Sequence, residues 1–179
     1  ERVNWVSSIP FVLIHLTLVL AVFTGFPLKA VILGVVLFWI RMFFLTAGYH
    51  RYFSHRSYDL HRFWAFVFAV VGTTAAQKGP LWWAGHHVDH HRYSDSPRDI
   101  HSPTKGFWWS HVGWILCDKF SETTYNNVHE CSARPELRWA QKYNGLFPSV
   151  LAIGCLPHAR WAGLVIGFFY STVVLWHDT

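Results

Sequence analysis

The chain has 179 residues, of which 52% are hydrophobic, 18% aromatic and only 14% charged, with a mean hydropathy of +0.20. That charged share is well below the roughly 25% of a soluble domain, so a soluble fold would need an outsized core, whereas helices in lipid absorb the apolar residues directly. The formal net charge of +5 is spread as single Lys and Arg without a basic run, which gives no footprint for nucleic acid, and three cysteines with no CxxC give no disulfide framework.

Ile9 to Gly25 is apolar apart from His15 and a few hydroxyls. No positively charged region with a cleavage site precedes it, so it reads as an anchor rather than a signal peptide. Phe26-Pro27-Leu28-Lys29 makes a tight turn, and Ala30 to Leu45 continues the apolar character. Residues 9–45 are therefore predicted to form a first transmembrane hairpin. Arg41, near its end, is expected to send its guanidinium out to the headgroups.

Residues 46–143 carry most of the histidines and most of the charge. Within them Phe63 to Ala76 is apolar but short, and suits a partly embedded helix. Residues 144–176 hold two more apolar runs, Leu146 to Leu156 and Ala162 to Trp176, separated by the short turn Pro157-His158-Ala159-Arg160. They predict a second hairpin. Eleven of the 15 Lys and Arg lie between Tyr49 and Lys142, whereas the two opposite turns hold only Lys29 and Arg160. The positive-inside rule then puts both chain ends and the histidine region in the cytoplasm. The expected fold is all-α, an integral membrane domain of four transmembrane helices in two hairpins under a cytosolic helical cap.

Nine of the 13 histidines fall between residues 50 and 111. In "GHHVDHHRYSD" (85–95), His87, His90 and His91 stand at i, i+3 and i+4, over one face of a helix. His86 is also four residues from His90, so spacing alone leaves two overlapping ligand sets. In "GYHRYFSH" (48–55), His50 and His55 are five apart, a turn of about 140° around an α-helix. They converge only if the helix ends or tightens between them. Imidazoles crowded together at neutral pH repel protons from one another, and a cation in their place explains the crowding. Imidazole suits Fe, Zn, Cu and Ni. A zinc finger would need cysteine partners, a metalloprotease an HExxH and a soluble di-iron bundle a Glu-plus-ExxH set, and none of these is present. An all-histidine site at the cytosolic membrane face remains. His15, His158 and His177 read as packing or interface residues, Trp82, Trp83, Trp108, Trp109 and Trp114 as mostly an aromatic belt, and Cys117, Cys131 and Cys155 as inert.

The sequence resembles the membrane-bound fatty acyl desaturases of the stearoyl-CoA (delta-9) type in their bacterial form. Their HxxxxH box is matched by His50 to His55 and their HxxHH box by His87 to His91, with similar flanking text in "QKGPLWWAGHHVDHHRYSD" and "DIHSPTKGFWWSHVGWIL". The resemblance implies a di-iron enzyme that uses O₂ and two electrons to introduce a cis double bond, at delta-9, into a saturated acyl chain. It implies His50, His55, His87, His90 and His91 as iron ligands, and Gln77 and Trp83 at the bend of an acyl channel. Ser110, His111 and Trp114 would lie on a helix packing at the cytosolic face. The substrate would be a fatty acyl-CoA or acyl-lipid. Electrons would come from a separate donor, a ferredoxin or cytochrome b5-like protein.

Val88 stands where the second box often has Arg, and Gly85 where animal members carry a basic residue near CoA. Lys105 is the candidate to supply some of that charge. The family adds another ligand in an NSxxH-like stretch and a third box resembling HNxHH, whereas this sequence reaches Trp176-His177-Asp178-Thr179. It is therefore expected to be a piece of a larger desaturase, inactive alone, with His177 preceding the family's ligand position. The rival expectations are a di-iron hydroxylase, whose first box is often HxxxH, and a non-catalytic lipid-binding membrane protein with a residual metal site.

Overall fold

The computed structural model describes residues 3–179. It is all-α: among the described residues the only β pairing is an isolated bridge between Val3 and Cys117. Helix α1 (Ile9–Thr24) starts at a serine followed by Pro10 and ends at Gly25, whose φ of 62° breaks the helix. Helix α2 (Leu28–Ser54) begins immediately after the extended Pro27. Helix α3 (Arg62–Thr73) is capped by His61, whose Nδ1 accepts from the Phe63 N–H. Helix α4 (Pro80–Tyr93) carries the second histidine group, and short turns lead to α5 (Pro135–Lys142). Helix α6 (Leu146–Ala162) is followed by α7, made of Gly163–Tyr170 and Ser171–Asp178.

Two stretches are long and apolar enough to cross a membrane, Leu28–Ser54 and Leu146–Asp178, while Ile9–Thr24 and Arg62–Thr73 are shorter apolar helices. The second stretch is interrupted where the sequence places a turn. Ala159 (φ −152°, ψ 31°) and Arg160 (φ 52°, ψ −138°) leave the helical region. The chain folds back there, since a Cβ on Gly163 would lie 2.3 Å from the Cys155 carbonyl, a contact impossible along one straight helix. Glycines also seat α7 on α2: a Cβ on Gly34 would meet the Ile166 carbonyl at 3.0 Å, and one on Gly167 the Leu33 side chain at 2.8 Å. Small residues let apolar helices approach closely and gain dispersion contacts.

Arg41 does not reach for headgroups. It is 1% exposed, and its guanidinium donates to Thr172 Oγ1 (2.6 Å), Ser171 Oγ and the Leu37 carbonyl (3.0 Å). Facing α7 gives it hydroxyl and carbonyl acceptors, so it crosslinks α2 to α7 instead of snorkelling.

Candidate metal centre

The first histidine pair depends on how α2 ends. Its last 11 residues, Phe44–Ser54, are wound in π-type turns. The His55 N–H donates to the His50 carbonyl at 3.1 Å and Ser54 Oγ to the Tyr49 carbonyl at 2.8 Å, both five residues back. Bonding from i to i+5 stacks residues five apart, which an α-helix cannot do, and such segments recur at functional sites. The helix thus widens between His50 and His55, where the sequence suggested that it would end or tighten. Tyr49 and Phe53 hold the segment in the core, at 0% and 1% exposure.

Helix α4 is held over its first two turns by α5 and by the segment around Thr124–Asn127. Gln141 Oε1 accepts from the Leu81 and Trp82 N–H groups, both at 3.0 Å, replacing the missing helical acceptors at its start. Asn127 Nδ2 donates to the Gly85 carbonyl at 2.9 Å. A Cβ on Gly85 would meet the Thr124 carbonyl at 2.9 Å, so close packing against this residue occupies the place where a basic side chain would sit.

These two seats bring four imidazoles together. Candidate ligand atoms of His50, His55, His87 and His91 all lie within 4.8 Å of one another. The His50 and His55 Nε2 atoms are 3.2 Å apart and those of His87 and His91 2.9 Å. A first-row metal about 2.1 Å from each nitrogen would set neighbouring nitrogens about 3.0 Å apart at right angles and about 3.4 Å apart in a tetrahedron. The donor set and spacing fit such an ion. Burial first, then His50, His91, His55 and His90, holds the His87 imidazole down to about 3; burial, His55 and His90 also lower His91. Both shifts favour the neutral ring, the form in which imidazole ligates a metal.

His90 is placed differently. Its Nδ1–H donates to Asp99 Oδ1 at 2.9 Å, and its ring stacks on His101 at 3.9 Å. Burial alone pushes the Asp99 carboxyl up, but the His90 bond and the Asp95 and His101 N–H groups outweigh it and leave it below its ordinary value. His86 lies outside the cluster: its Nδ1–H donates to the Trp82 carbonyl at 2.9 Å and its ring packs on Trp82. That removes the second of the overlapping ligand sets. Trp82 and Trp114 stack at 5.7 Å, with His101 on Trp114, so these two indoles and the imidazole form a stacked column. Trp108 is exposed, and Cys117, Cys131 and Cys155 are buried and free.

A cavity of about 790 Å³ opens beside the imidazoles, within the ~300–1,000 Å³ range of small-molecule sites. His50, His87, Met42, Leu45, Phe11 and Ile14 are among its walls. Gln77 and Trp83 line it too. Trp83 Nε1 donates to Gln77 Oε1 at 3.2 Å, Gln77 Nε2 donates to Thr179 Oγ1 at 2.6 Å, and Trp83 stacks on His87 at 4.6 Å. Gln77 is flanked by two left-handed residues, Ala76 (φ 56°) and Lys78 (φ 63°), a strained backbone of the kind that aims a functional side chain. Lys105 sits outside the cavity, where its ammonium donates to the Asp99 carbonyl at 2.8 Å. Asp99 and Thr179 were not anticipated; the only available hint was Asp99 two residues before His101 in "DIHSP".

No protein-family model matches the chain. It is 32% identical over 181 residues, 99% of its length, to the sn-1 stearoyl-lipid 9-desaturase of Anabaena variabilis, and equally identical over 184 residues to the sn-2 palmitoyl-lipid 9-desaturase of Nostoc sp. (strain 36). The chain belongs to the fatty acid desaturase family. It spans 66% and 64% of the length of those two relatives. A plant relative, the icosanoyl-CoA 5-desaturase of Limnanthes douglasii, is 33% identical over 75% of this desaturase-family chain and 39% of its own.

Proposed function

We propose that the chain is the histidine-box portion of an O₂-dependent, membrane-bound fatty acyl desaturase. The convergence of four imidazoles beside a largely apolar cavity carries this reading. His50, His55, His87 and His91 would hold one iron ion and His90, through Nε2, would contribute to a second. Iron bound there would supply O₂ activation and removal of hydrogen from an unactivated methylene, chemistry that no side chain offers. The protein's share is position and dryness. A methylene has no polar handle, so the cavity wall sets which carbon lies nearest the imidazoles. The Gln77–Trp83–Thr179 bonds fix that wall without presenting an unpaired polar group to the acyl chain.

Supporting the membrane arrangement are the two long apolar stretches, the fold-back at Ala159–Arg160 and the short apolar α1. In this reading four helices in two hairpins (9–45 and 144–176) carry residues 46–143 on the cytosolic side, where an electron-donor protein docks. Relatives named for acyl-lipid and acyl-CoA substrates support an esterified acyl chain as substrate, with the double bond at the ninth carbon in the nearer pair.

The test is full-length protein in membranes supplied with reductant and deuterated stearoyl lipid. A product that has lost two deuterium atoms from the labelled chain, made by iron-loaded protein, is expected. A product heavier by one oxygen would make it a hydroxylase, and bound zinc with no product would make it a non-catalytic lipid-binding protein.

A further inference from the structure

His90 Nδ1 faces a carboxylate whose every contact is a donor. Asp99 is fully buried. Its Oδ1 accepts from His90 Nδ1 at 2.9 Å and from the His101 N–H at 3.2 Å, and its Oδ2 accepts from the Asp95 N–H at 3.1 Å. The loop is held in turn: the Asp99 N–H donates to the Ser96 carbonyl at 3.0 Å and Lys105 Nζ to the Asp99 carbonyl at 2.8 Å. His101 closes the outer face of the His90 ring at 3.9 Å.

His90, Asp99 and His101 have donor atoms close enough to suggest a metal site of their own. Two observations argue against it. Both Asp99 oxygens already face N–H donors. The two imidazoles lie face to face at 23°, so their in-plane lone pairs run side by side rather than meeting at one ion. What the group does instead is choose a tautomer. A carboxylate only accepts, so His90 must carry its proton on Nδ1, and Nε2 is left bare.

We propose that Asp99 is a positioning residue of the metal centre: it fixes His90 in the Nδ1–H tautomer and locks the ring so that Nε2 is presented as a ligand. The role of Nε2 rests on the metal-centre reading above, whereas the tautomer does not. Carboxylate partners of ligating histidines typically hold 10–100-fold of metal affinity.

The experiment uses full-length protein with ¹⁵N-labelled histidine. In the metal-free wild type, His90, assigned by the signal lost in His90→Gln, is expected as Nδ1–H with a bare Nε2. Wild-type protein with the proton on Nε2 overturns the proposal whatever the variants do. Asp99→Ala is expected to release the tautomer and weaken one iron(II) equivalent in an anaerobic titration by about 10–100-fold, leaving the equivalent held by the other four imidazoles. Asp99→Asn, which can keep a carbonyl oxygen toward His90, should restore the tautomer and part of the affinity. An Ala variant that behaves as wild type, or an Asn variant no better than Ala, overturns the assignment. Wild type that binds no iron(II) sinks the metal-centre reading instead, and leaves the tautomer result standing.

Discussion

The molecule contains two histidine clusters built on opposite plans. In the first, His50, His55, His87 and His91 face inward, with ring centroids 4.5 to 6.2 Å apart and their ligand atoms around one small volume. In the second, His111, His177 and His15 run in series. The His15 Nδ1–H donates to the Phe11 carbonyl at 2.8 Å, so its Nε2 is bare and accepts from the His177 Nε2–H at 2.9 Å; His177 Nδ1 then accepts from the His111 Nε2–H, also at 2.9 Å. With one proton on each ring, every proton in the series has one place, and the three rings are joined with no cation needed. The series ties α1 to α7 and to the turn at Trp109–Gly113. Crowding of histidines is therefore not the sign of a metal site. Convergence of lone pairs on one point is.

The sharpest way to break this contrast is to remove one ring from each cluster. His87→Ala is expected to empty the four-imidazole site and lower product formation by two orders of magnitude or more, since even outer partners of ligands are worth about 10–100-fold. His177→Ala should leave iron content intact. Equal iron loss in both variants, by elemental analysis, would erase the distinction.

Acid gives the next effect. In metal-free protein the His87 imidazole is held at about 3, against an ordinary value of 6.5, by burial and then by its four histidine neighbours. Between those two values the unfolded chain binds the proton and the folded chain does not. Stability contributed by the neutral ring is thus present above about pH 6.5 and is lost as pH falls toward 3. Denaturant midpoints of metal-free protein across this range should fall with acid, and His87→Phe should flatten the slope. A slope unchanged by that substitution would place the acid sensitivity elsewhere.

The clusters also differ in how much the sequence discloses. The HxxHH spacing states its own geometry, because i, i+3 and i+4 share a face on any α-helix. The pair at His50 and His55 does not, since five residues is the wrong interval until α2 widens into π-type turns, and those turns depend on tertiary seats such as buried Tyr49 and Phe53. The His15–His177 contact joins residues 162 apart, for which local periodicity carries no information. Arg41 shows the same limit: its position in the run is legible, but the direction of its guanidinium is set by Ser171 and Thr172 on another helix. The break at Ala159–Arg160 was readable because proline and a short polar turn announce it locally.

A smaller effect sharpens the serial side. Taking away the middle ring in His177→Ala removes the partners of the His111 Nε2–H and of His15 Nε2. Each lost hydrogen bond is worth about 0.5–1.5 kcal/mol net. A loss of roughly 1–3 kcal/mol is expected from the two. His177→Gln should recover part of this, because the amide offers both a donor and an acceptor. Denaturant titrations of the two variants against wild type measure it, and a Gln variant as unstable as Ala would mean that packing of the His177 ring against His15 and His111, not the proton order, holds the series together.

The smallest effect belongs to a surface pair outside both clusters. Arg62 forms a two-pronged pair with Glu136, at 2.9 and 2.8 Å, which links α3 to α5. The hydrogen bond from Arg62 and its charge hold the Glu136 carboxyl below its ordinary 4.5. Whatever the pair contributes is present above that value and is lost as pH falls through the depressed one. It is open to solvent and screened, so Glu136→Gln is expected to leave the unfolding midpoint nearly unchanged at 0.15 M salt, with a detectable fall only at low salt. This pair serves as the control for the acid experiment on the buried imidazoles. If Glu136→Gln flattened the acid slope as much as His87→Phe, the sensitivity would be a property of surface charge, and the convergent cluster would have no special claim on it.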